Sequence, residues 1–265
     1  MESLILYQSP YNKVRIGKDN DGGYVICNLP NYYDLFISGG ISNDISFEID
    51  FLKKYKDKKN NIIKCYAFDG TISRLPDNNE QNINFIKKNL GNIETNDITN
   101  LSSYINDDKS NTNTSNTNIH KYNNIFMKID IEGHEFRLLP YLIDNDYMSK
   151  IKQLVVEIHS PADIQMFPDY FAGLSDIKND DMFKLLNNIN KTHTLVHFHG
   201  NNGCNTQIID NIKLPHVFEC TYIRNDFIKN KAKVKNTEPL PTSIDMKNIV
   251  NKDDFYIDYY PFCNI

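Results

Sequence analysis

The amino-acid sequence predicts a doubly wound α/β fold with a mostly parallel central sheet. Short, continuously apolar segments rich in β-branched and aromatic residues alternate with segments whose apolar residues recur every three or four positions. Strands that are apolar on both faces are typical of parallel sheets covered by helices on both sides. The last two strand segments leave no room for a long helix between them, which predicts an antiparallel hairpin at one edge of the sheet.

Six strands are predicted from their length and apolar content, and a seventh is assigned on weaker grounds to the segment INFIKKN. Apolar spacings of three and four predict four helices between the strands. Ahead of the first strand, Asp21, Gly22 and Gly23 separate two apolar runs, which predicts a β-hairpin. The predicted strands are residues 33–38, 62–68, 125–131, 153–159, 193–199 and 217–223, and the predicted helices are residues 45–55, 100–105, 134–143 and 181–190.

The chain of 265 residues is interpreted as one domain, residues 1–265. Within it, residues 1–32 are expected to form an N-terminal cover, and residues 106–124 an Asn-rich surface insertion that is too polar to bury a core of its own. A net charge of -5 and an isoelectric point near 5.8 argue against nucleic acid as the main partner. The sequence leaves open whether the protein forms a homo-oligomer.

The cysteines and the hydropathy pattern indicate a soluble, cytoplasmic protein. Five cysteines are scattered along the chain without a Cys-x-x-Cys pair, which favours reduced thiols over a zinc site. No segment approaches the roughly 20 apolar residues that span a bilayer, and the N-terminus lacks a basic leader. We therefore expect no membrane partner.

Ligands of a doubly wound sheet bind beyond the carboxyl ends of its strands, near the point where the strand order reverses. The first strand runs into the loop SGGISND, where Gly39 and Gly40 would let the backbone approach a ligand closely, with a tight turn as the alternative. The second strand ends at Asp69, whose carboxylate suits the two hydroxyls of a ribose. Together these features predict an adenosine-containing cofactor that lacks a diphosphate.

Asp130 ends the third strongly apolar strand, inside the stretch FMKIDIEGHEFRLLPYL. A carboxylate at the end of an apolar strand needs a ligand, a metal ion or a hydrogen-bond partner to offset its partial burial. Parallel strands bring their carboxyl ends to one edge of the sheet. Asp130 is therefore predicted to belong to the same site as Gly40 and Asp69.

These motifs resemble the FkbM-type S-adenosylmethionine-dependent O-methyltransferases. The family's hallmark is an Asp-x-Glu-Gly-x-Glu block followed by a strand ending in Glu, and the chain has KIDIEGHEFRLL followed by LVVEIH. The resemblance spans roughly residues 15–222 in motif order. It implies a Rossmann-like class I methyltransferase fold and methyl transfer to a hydroxyl of a sugar or glycan. The first loop reads Gly-Gly-Ile-Ser-Asn instead of the family's usual Gly-Ala-Asn-x-Gly, and Phe-Asp-Gly stands where the family has Phe-Glu-Pro.

The resemblance also implies roles for individual residues. The first loop would line the methionine part of S-adenosylmethionine, and the acid after the second strand would hold its ribose. Asp130 would lie beside the transferred methyl group, and Asp97 would lie near the adenine, with a turn or helix-start role as the alternative. The cofactor-binding residues implied in this way are Gly39, Gly40, Ser42, Asp69, Asp97 and Asp130.

Removing the proton of a barely acidic sugar hydroxyl requires a general base or a divalent cation. His159 and His199 are the candidate bases, with packing in the core as the alternative. Asp130, Glu157 and His159 form a candidate site for Mg²⁺ or another divalent cation. The candidate substrate contacts are Arg15, Asp21, Tyr24, His197 and Asn201.

Other functions stay open on the sequence alone. The acceptor can be a free sugar, a nucleotide-sugar or a glycan, and a lipid or a peptide side chain is the rival within the same reaction class. A metal-dependent hydrolase would use the same histidines and carboxylates. A non-catalytic module that binds a nucleoside or a glycan is the rival outside enzymes.

Overall fold

A computed structural model describes residues 2–77, 81–106, 122–228 and 233–264. Most of the Asn-rich insertion predicted from the sequence, residues 107–121, lies outside the described residues. In chain order the strands are β1 (Lys13–Ile16), β2 (Tyr24–Cys27), β3 (Leu35–Gly39), β4 (Lys64–Phe68), β5 (Ile83–Ile86), β6 (Asn89–Leu90), β7 (Ile98–Thr99), β8 (Ile125–Ile129), β9 (Ile151–His159), β10 (His193–Gly200), β11 (Thr206–Ile209), β12 (Ile212–Pro215) and β13 (Val217–Arg224). The α-helices are α1 (Ser46–Lys54), α2 (Ser102–Asn106), α3 (Glu135–Asp144), α4 (Pro161–Met166) and α5 (Asn179–Asn190), and short 3-10 turns occupy Glu2–Leu4, Met148–Lys150 and Asn225–Phe227.

Seven of these strands form one mixed sheet in the spatial order β10, β13, β9, β8, β3, β4, β5. The run from β9 to β5 is parallel, whereas β13 is antiparallel to both of its neighbours. The predicted α/β class and the predicted antiparallel hairpin at one edge are therefore confirmed. From β3 the chain moves outward to β4 and β5 and then returns to β8 on the other side. The strand order thus reverses between β3 and β8, which is where sheets of this kind bind ligands.

Both faces of the sheet are covered, as the continuously apolar strands predicted. Along β3, Leu35 and Ile37 belong to a core cluster shared with α3 and α5, whereas Phe36 belongs to a cluster shared with α1. Phe126 of β8 packs against Phe51 of α1 with a ring-centroid distance of 4.2 Å. Such burial of large apolar side chains on both faces supplies most of the driving force for this arrangement.

The N-terminal hairpin lies against the antiparallel side of the sheet. β1 and β2 pair in antiparallel register, as the Asp-Gly-Gly turn predicted. Gln153 of β9 holds β2 against the sheet through two hydrogen bonds. Its side chain accepts one from the Cys27 N–H at 2.7 Å and donates one to the Cys27 carbonyl at 3.1 Å. Thr221 of β13 donates a further bond to the Val25 carbonyl. These contacts hold Tyr24, the first residue of β2, above the end of β8.

Several elements are present that the sequence did not predict. In chain order, the hairpin β11–β12 is inserted between β10 and β13, which pair directly with each other in the sheet. In addition, β6 pairs with β7, and α4 follows β9. The predicted strands and helices agree with the observed ones within two residues at each end, apart from the weakly assigned segment at β5. All five cysteines have free thiols. No helix within the described part of the chain is long and apolar enough to cross a membrane.

Candidate functional site

An open cavity of about 360 Å³ lies beyond the carboxyl ends of β3, β4 and β8. It sits at the reversal of strand order, and four residues singled out from the sequence line it: Gly40, Ser42, Asp69 and Asp130. The predicted convergence of these strand ends is therefore present. The rest of its wall is formed by Phe68, Thr71, Asn89, Leu90, Ile131, Glu132, His134 and Tyr170.

Gly40 is the point at which three strand ends meet. Its N–H donates to the Phe68 carbonyl at 2.9 Å, and the neighbouring Gly39 carbonyl accepts a bond from the Asp130 N–H at 3.0 Å. The φ angle of Gly40 is +72°, and a Cβ atom there would lie 1.6 Å from the Asp130 carbonyl oxygen. Lys128 closes the arrangement by donating to the Gly40 carbonyl at 2.8 Å. Only glycine fits this position.

Gly39 and Asp97, two other predicted cofactor contacts, do not line the cavity. A Cβ atom on Gly39 would lie 2.4 Å from the Leu90 side chain, so this glycine serves close packing at the base of the cavity. Asp97 is exposed, and its backbone carbonyl accepts a bond from the Asn89 N–H at 2.8 Å. The β6–β7 pairing therefore puts Asn89, which the sequence did not indicate, on the cavity wall.

Asp69 is held rigidly at the end of β4. One carboxylate oxygen accepts the Ser42 N–H at 2.8 Å, and the other accepts the Thr71 N–H and hydroxyl at 2.8 and 2.6 Å. Burial alone would raise the pKa of Asp69, but these hydrogen bonds outweigh it and hold the pKa below its usual value. The group is thus an oriented carboxylate at neutral pH, with lone pairs left for a ligand.

Asp130 and Glu132 of the cavity wall form a cluster with His159, which does not itself line the cavity. These three residues are hereafter the Asp130 cluster. One donor atom from each residue lies within 4.8 Å of the others. His159 Nε2 lies 3.3 Å from a Glu132 oxygen without the geometry of a hydrogen bond. Tyr24 donates to Asp130 at 2.9 Å, and Asp163 lies 2.9 Å from His159 Nδ1. Asp130 and His159 are therefore each held in place by a residue that is not part of the cluster.

Carboxylates surround the His159 imidazole. Burial by itself would lower the pKa of His159, but the hydrogen bond to Asp163 and the charges of Glu135, Glu157 and Glu132 raise it to about 10. Glu135 is fully buried, accepts the His159 N–H at 2.8 Å, and has its pKa raised to about 7, chiefly by burial. In the absence of a bound metal ion, an imidazolium here offsets the negative charge of its neighbours.

Glu157, the third predicted metal ligand, is buried in a separate set of polar groups. It accepts a bond from Asn201 at 3.0 Å and pairs across the sheet with Glu219. Burial, followed by the charge of Asp130, raises the pKa of Glu157 well above its usual range. The structure therefore brings Asp130 and His159 together with Glu132, whereas Glu157 is not part of this group.

His197 and His199 lie on one side of β10 but do not line the cavity. His197 Nε2 lies 2.8 Å from Asp245, and its Nδ1 lies 3.3 Å from the Lys13 ammonium. His199 Nε2 lies 3.1 Å from Asp254, and Nδ1 lies 3.7 Å from Glu219. Burial by itself would lower the pKa of His199, but the hydrogen bond to Asp254 and the charge of Glu219 raise it to about 10. Both histidines link β10 to the C-terminal segment.

Of the predicted substrate contacts, Tyr24 bonds directly to a residue of the cavity wall. Arg15 turns back on its own hairpin and donates to the Asn20 carbonyl. Asp21 is exposed, with one oxygen 3.5 Å from the Asn248 amide. Asn201 reaches Glu157 instead of the cavity.

Comparison with protein-family models gave no match to the chain, and comparison with curated proteins gave no significant match. A functional assignment therefore depends on the chemistry of the cavity. Sequence reasoning had missed Glu132, Asn89, Tyr170 and Asp163. Glu132 lies within the Asp-x-Glu-Gly block itself, and Asp163 follows His159 by four residues, so both had a signal in the sequence.

Proposed function

We propose that the protein is an S-adenosylmethionine-dependent O-methyltransferase that methylates a hydroxyl of a sugar or glycan. The observation that carries this proposal is the cavity at the reversal of strand order, where the Gly40 backbone, the Asp69 carboxylate and Asp130 share one wall. A mostly parallel sheet with an antiparallel edge hairpin agrees with the Rossmann-like class I methyltransferase fold that the sequence resemblance implies.

The residues of the cavity fit S-adenosylmethionine. Gly40 lets the ends of β3 and β8 approach each other at the cavity wall, because a Cβ atom there would collide with the Asp130 carbonyl oxygen. Asp69 offers an ionised, oriented carboxylate for the ribose hydroxyls, and Phe68 and Leu90 offer apolar surface for the adenine. The volume of about 360 Å³ lies within the usual range for small-molecule sites. Asp130 and the other carboxylates of the wall favour a cationic sulfonium.

The Asp130 cluster is suited to hold the acceptor. When bound, the cofactor supplies an electrophilic methyl group on its sulfonium. The cluster orients the acceptor hydroxyl in line with the methyl group and accepts its proton, while the S–C bond breaks and the O–C bond forms. The products are a methyl ether and S-adenosylhomocysteine. Tyr170, which is 66% exposed at the cavity mouth, offers a face for stacking on a sugar ring.

Asp69→Asn tests the cofactor assignment, because it keeps the size of the side chain and removes its charge. We expect S-adenosylmethionine to bind the wild-type protein in isothermal titration and to bind the variant about tenfold or more weakly. Asp50→Asn is the matched control, since Asp50 lies on α1, away from the cavity wall, and pairs with the exposed Lys53 at 3.5 Å. Absence of binding to the wild-type protein would refute the proposal.

Turnover is tested separately with a radiolabelled methyl group and a panel of neutral glycosides. Asp130→Asn should bind the cofactor measurably but more weakly, because one carboxylate near the sulfonium is lost, and it should lose methyl transfer. Cofactor binding without turnover on any acceptor would favour a non-catalytic module.

The Asp130 cluster also favours a metal-dependent hydrolase as the second candidate, and hydrolysis that survives Asp69→Asn would identify it, because a hydrolase has no ribose to hold.

A further inference from the structure

The Asp130 cluster presents two carboxylates and one imidazole to a common point. Its donor atoms lie within 4.8 Å of one another, and the Glu132 oxygen and His159 Nε2 are 3.3 Å apart. With metal–ligand bonds of about 2.1 Å, neighbouring ligands on an octahedral ion are about 3.0 Å apart and opposite ligands about 4.2 Å apart. Shortening the longest of these separations by about half an ångström would bring all three donors into range.

His159 supplies independent support for a ligand at this point. Its side chain is largely buried, at 8% residue exposure, and its Nε2 atom has no hydrogen-bond partner among the residues that the structure describes. Buried polar atoms are almost always paired, so an unpaired imidazole nitrogen facing two carboxylates requires an explanation. A bound cation provides one, because it would coordinate the Nε2 atom and both carboxylates at once.

The surroundings of the cluster match those of known kinds of metal site. Asp163 lies 2.9 Å from His159 Nδ1, an arrangement that fixes the ring and directs Nε2 toward a metal ion. Tyr24 fixes Asp130 in the same way through its hydroxyl. Metal ligands whose orientation is set by such outer groups need little rearrangement on binding.

We propose that Asp130, Glu132 and His159 bind a divalent transition-metal ion, for which Mn²⁺ is the best match. Carboxylates suit Mg²⁺ and Mn²⁺, whereas an imidazole ligand favours the transition metals, and Mn²⁺ satisfies both preferences. Three protein ligands leave positions open for water or for acceptor hydroxyls. The role of the ion, which rests on the proposed function, is to bind the acceptor hydroxyl and make its proton easier to remove.

Titration of MnCl₂ into the protein without any cofactor tests the site. We expect a single tight site in the wild-type protein and an affinity about tenfold or more lower in Glu132→Gln. Glu238→Gln is the matched control, because it removes the same charge from another exposed glutamate outside the cluster. Equal affinities for the wild-type protein and Glu132→Gln would overturn the proposal.

Pulsed electron paramagnetic resonance of the Mn²⁺-loaded protein tests the imidazole ligand directly. The wild-type spectrum should contain a nitrogen coupling that disappears in His159→Gln. Asp163→Asn should weaken Mn²⁺ binding by about ten- to hundredfold although Asp163 does not touch the ion. Lack of a nitrogen coupling in the wild-type protein would overturn the assignment even if His159→Gln failed to fold.

These measurements separate the metal site from the proposed reaction. Mn²⁺ binding without S-adenosylmethionine binding would leave the site standing and remove the methyltransferase assignment. S-adenosylmethionine binding with no Mn²⁺ site would leave the methyltransferase assignment standing and remove the metal site. Mg²⁺ and Ca²⁺ serve as comparison ions, and tighter binding of either one than of Mn²⁺ would contradict the choice of metal.

Discussion

Gly40 combines two reasons for being glycine, and they can be separated by experiment. Its φ angle of +72° disfavours any L side chain, and its missing Cβ would collide with the Asp130 carbonyl oxygen. Gly173 has a similar φ angle of +84° but no atom within 4 Å of its missing Cβ. Gly173→Ala should therefore cost about 1 kcal/mol in the free energy of unfolding, from backbone strain alone.

Gly40→Ala should lower the free energy of unfolding by at least about 3 kcal/mol, because backbone strain and the collision with the Asp130 carbonyl oxygen add at this residue. Chemical denaturation followed by circular dichroism gives both values under the same conditions. The cofactor affinity of any folded Gly40→Ala protein should also fall, since the β3, β4 and β8 ends must move apart. Equal costs for the two substitutions would show that the close approach of Gly40 to Asp130 is absent in solution.

Individual site residues were predictable where they directly follow apolar strands. Asp69 and Asp130 fall into this group, because parallel strands bring such positions together whatever lies between them. Glu132 was not assigned to the metal site, since its position depends on a left-handed turn with φ of +54° at Glu132 and +82° at Gly133. Glu157 was chosen instead as the companion of His159 because both residues lie at the end of the same predicted strand.

At the level of elements, His193 joins the start of β10 to the start of β9. Its Nε2 atom lies 2.8 Å from the Ile151 carbonyl, and its Nδ1 atom lies 2.9 Å from the Thr192 hydroxyl. The neutral ring satisfies both contacts, with Nε2–H donating to the carbonyl and Nδ1 accepting from the hydroxyl. Burial is the main cause that lowers the pKa of His193 from 6.5 to about 4.

Acidification should therefore weaken the link between β9 and β10. Between pH 6.5 and about 4 the unfolded chain binds a proton at His193 and the folded protein does not, so stability falls as the pH drops through this window. The free energy of unfolding falls by about 3 kcal/mol through this window, and protonation of His193 lowers it no further once the pH is below the pKa of His193 in the folded protein. His193→Gln lacks this proton and should show no such loss.

Urea unfolding of the wild-type protein and His193→Gln from pH 8 to pH 4 measures the effect. The stability advantage of the wild-type protein should be constant between pH 7 and 8 and shrink on acidification below that. Subtracting the two curves removes the contributions of the other histidines, whose ionisation is common to both proteins. An advantage that does not change with pH would contradict the buried neutral state of His193.

Elements with a long, regular pattern were predictable, and short or exposed ones were not. β8 and β9 are buried along their whole length, so their apolar content identified them. β6 and β7 contain two residues each and show no period, and Asn89 reached the cavity wall through this pairing. The half-exposed β11–β12 hairpin lacks a continuous apolar run for the same reason.

Across the whole molecule, the charge of the cavity agrees with that of the chain. The net charge is -5, and the cavity wall carries Asp69, Asp130 and Glu132, with no lysine or arginine among the described residues that line it. A phosphate group entering this space would meet these three carboxylates, whose combined negative charge exceeds the positive charge of one divalent cation. The site is thus suited to a cationic cofactor and a neutral acceptor.

We therefore expect the enzyme to prefer a neutral glycoside over the phosphate ester of the same sugar, with kcat/KM about tenfold or more higher for the neutral acceptor. The ratio of the two values is the readout, since changes in cofactor binding or in the active fraction cancel from it. Raising the NaCl concentration from about 0.05 to 0.5 M should bring this ratio of kcat/KM values closer to one, because salt screens the repulsion between phosphate and the cavity carboxylates. A preference for the phosphorylated acceptor would mean that acceptors are recognised by basic residues outside this cavity wall.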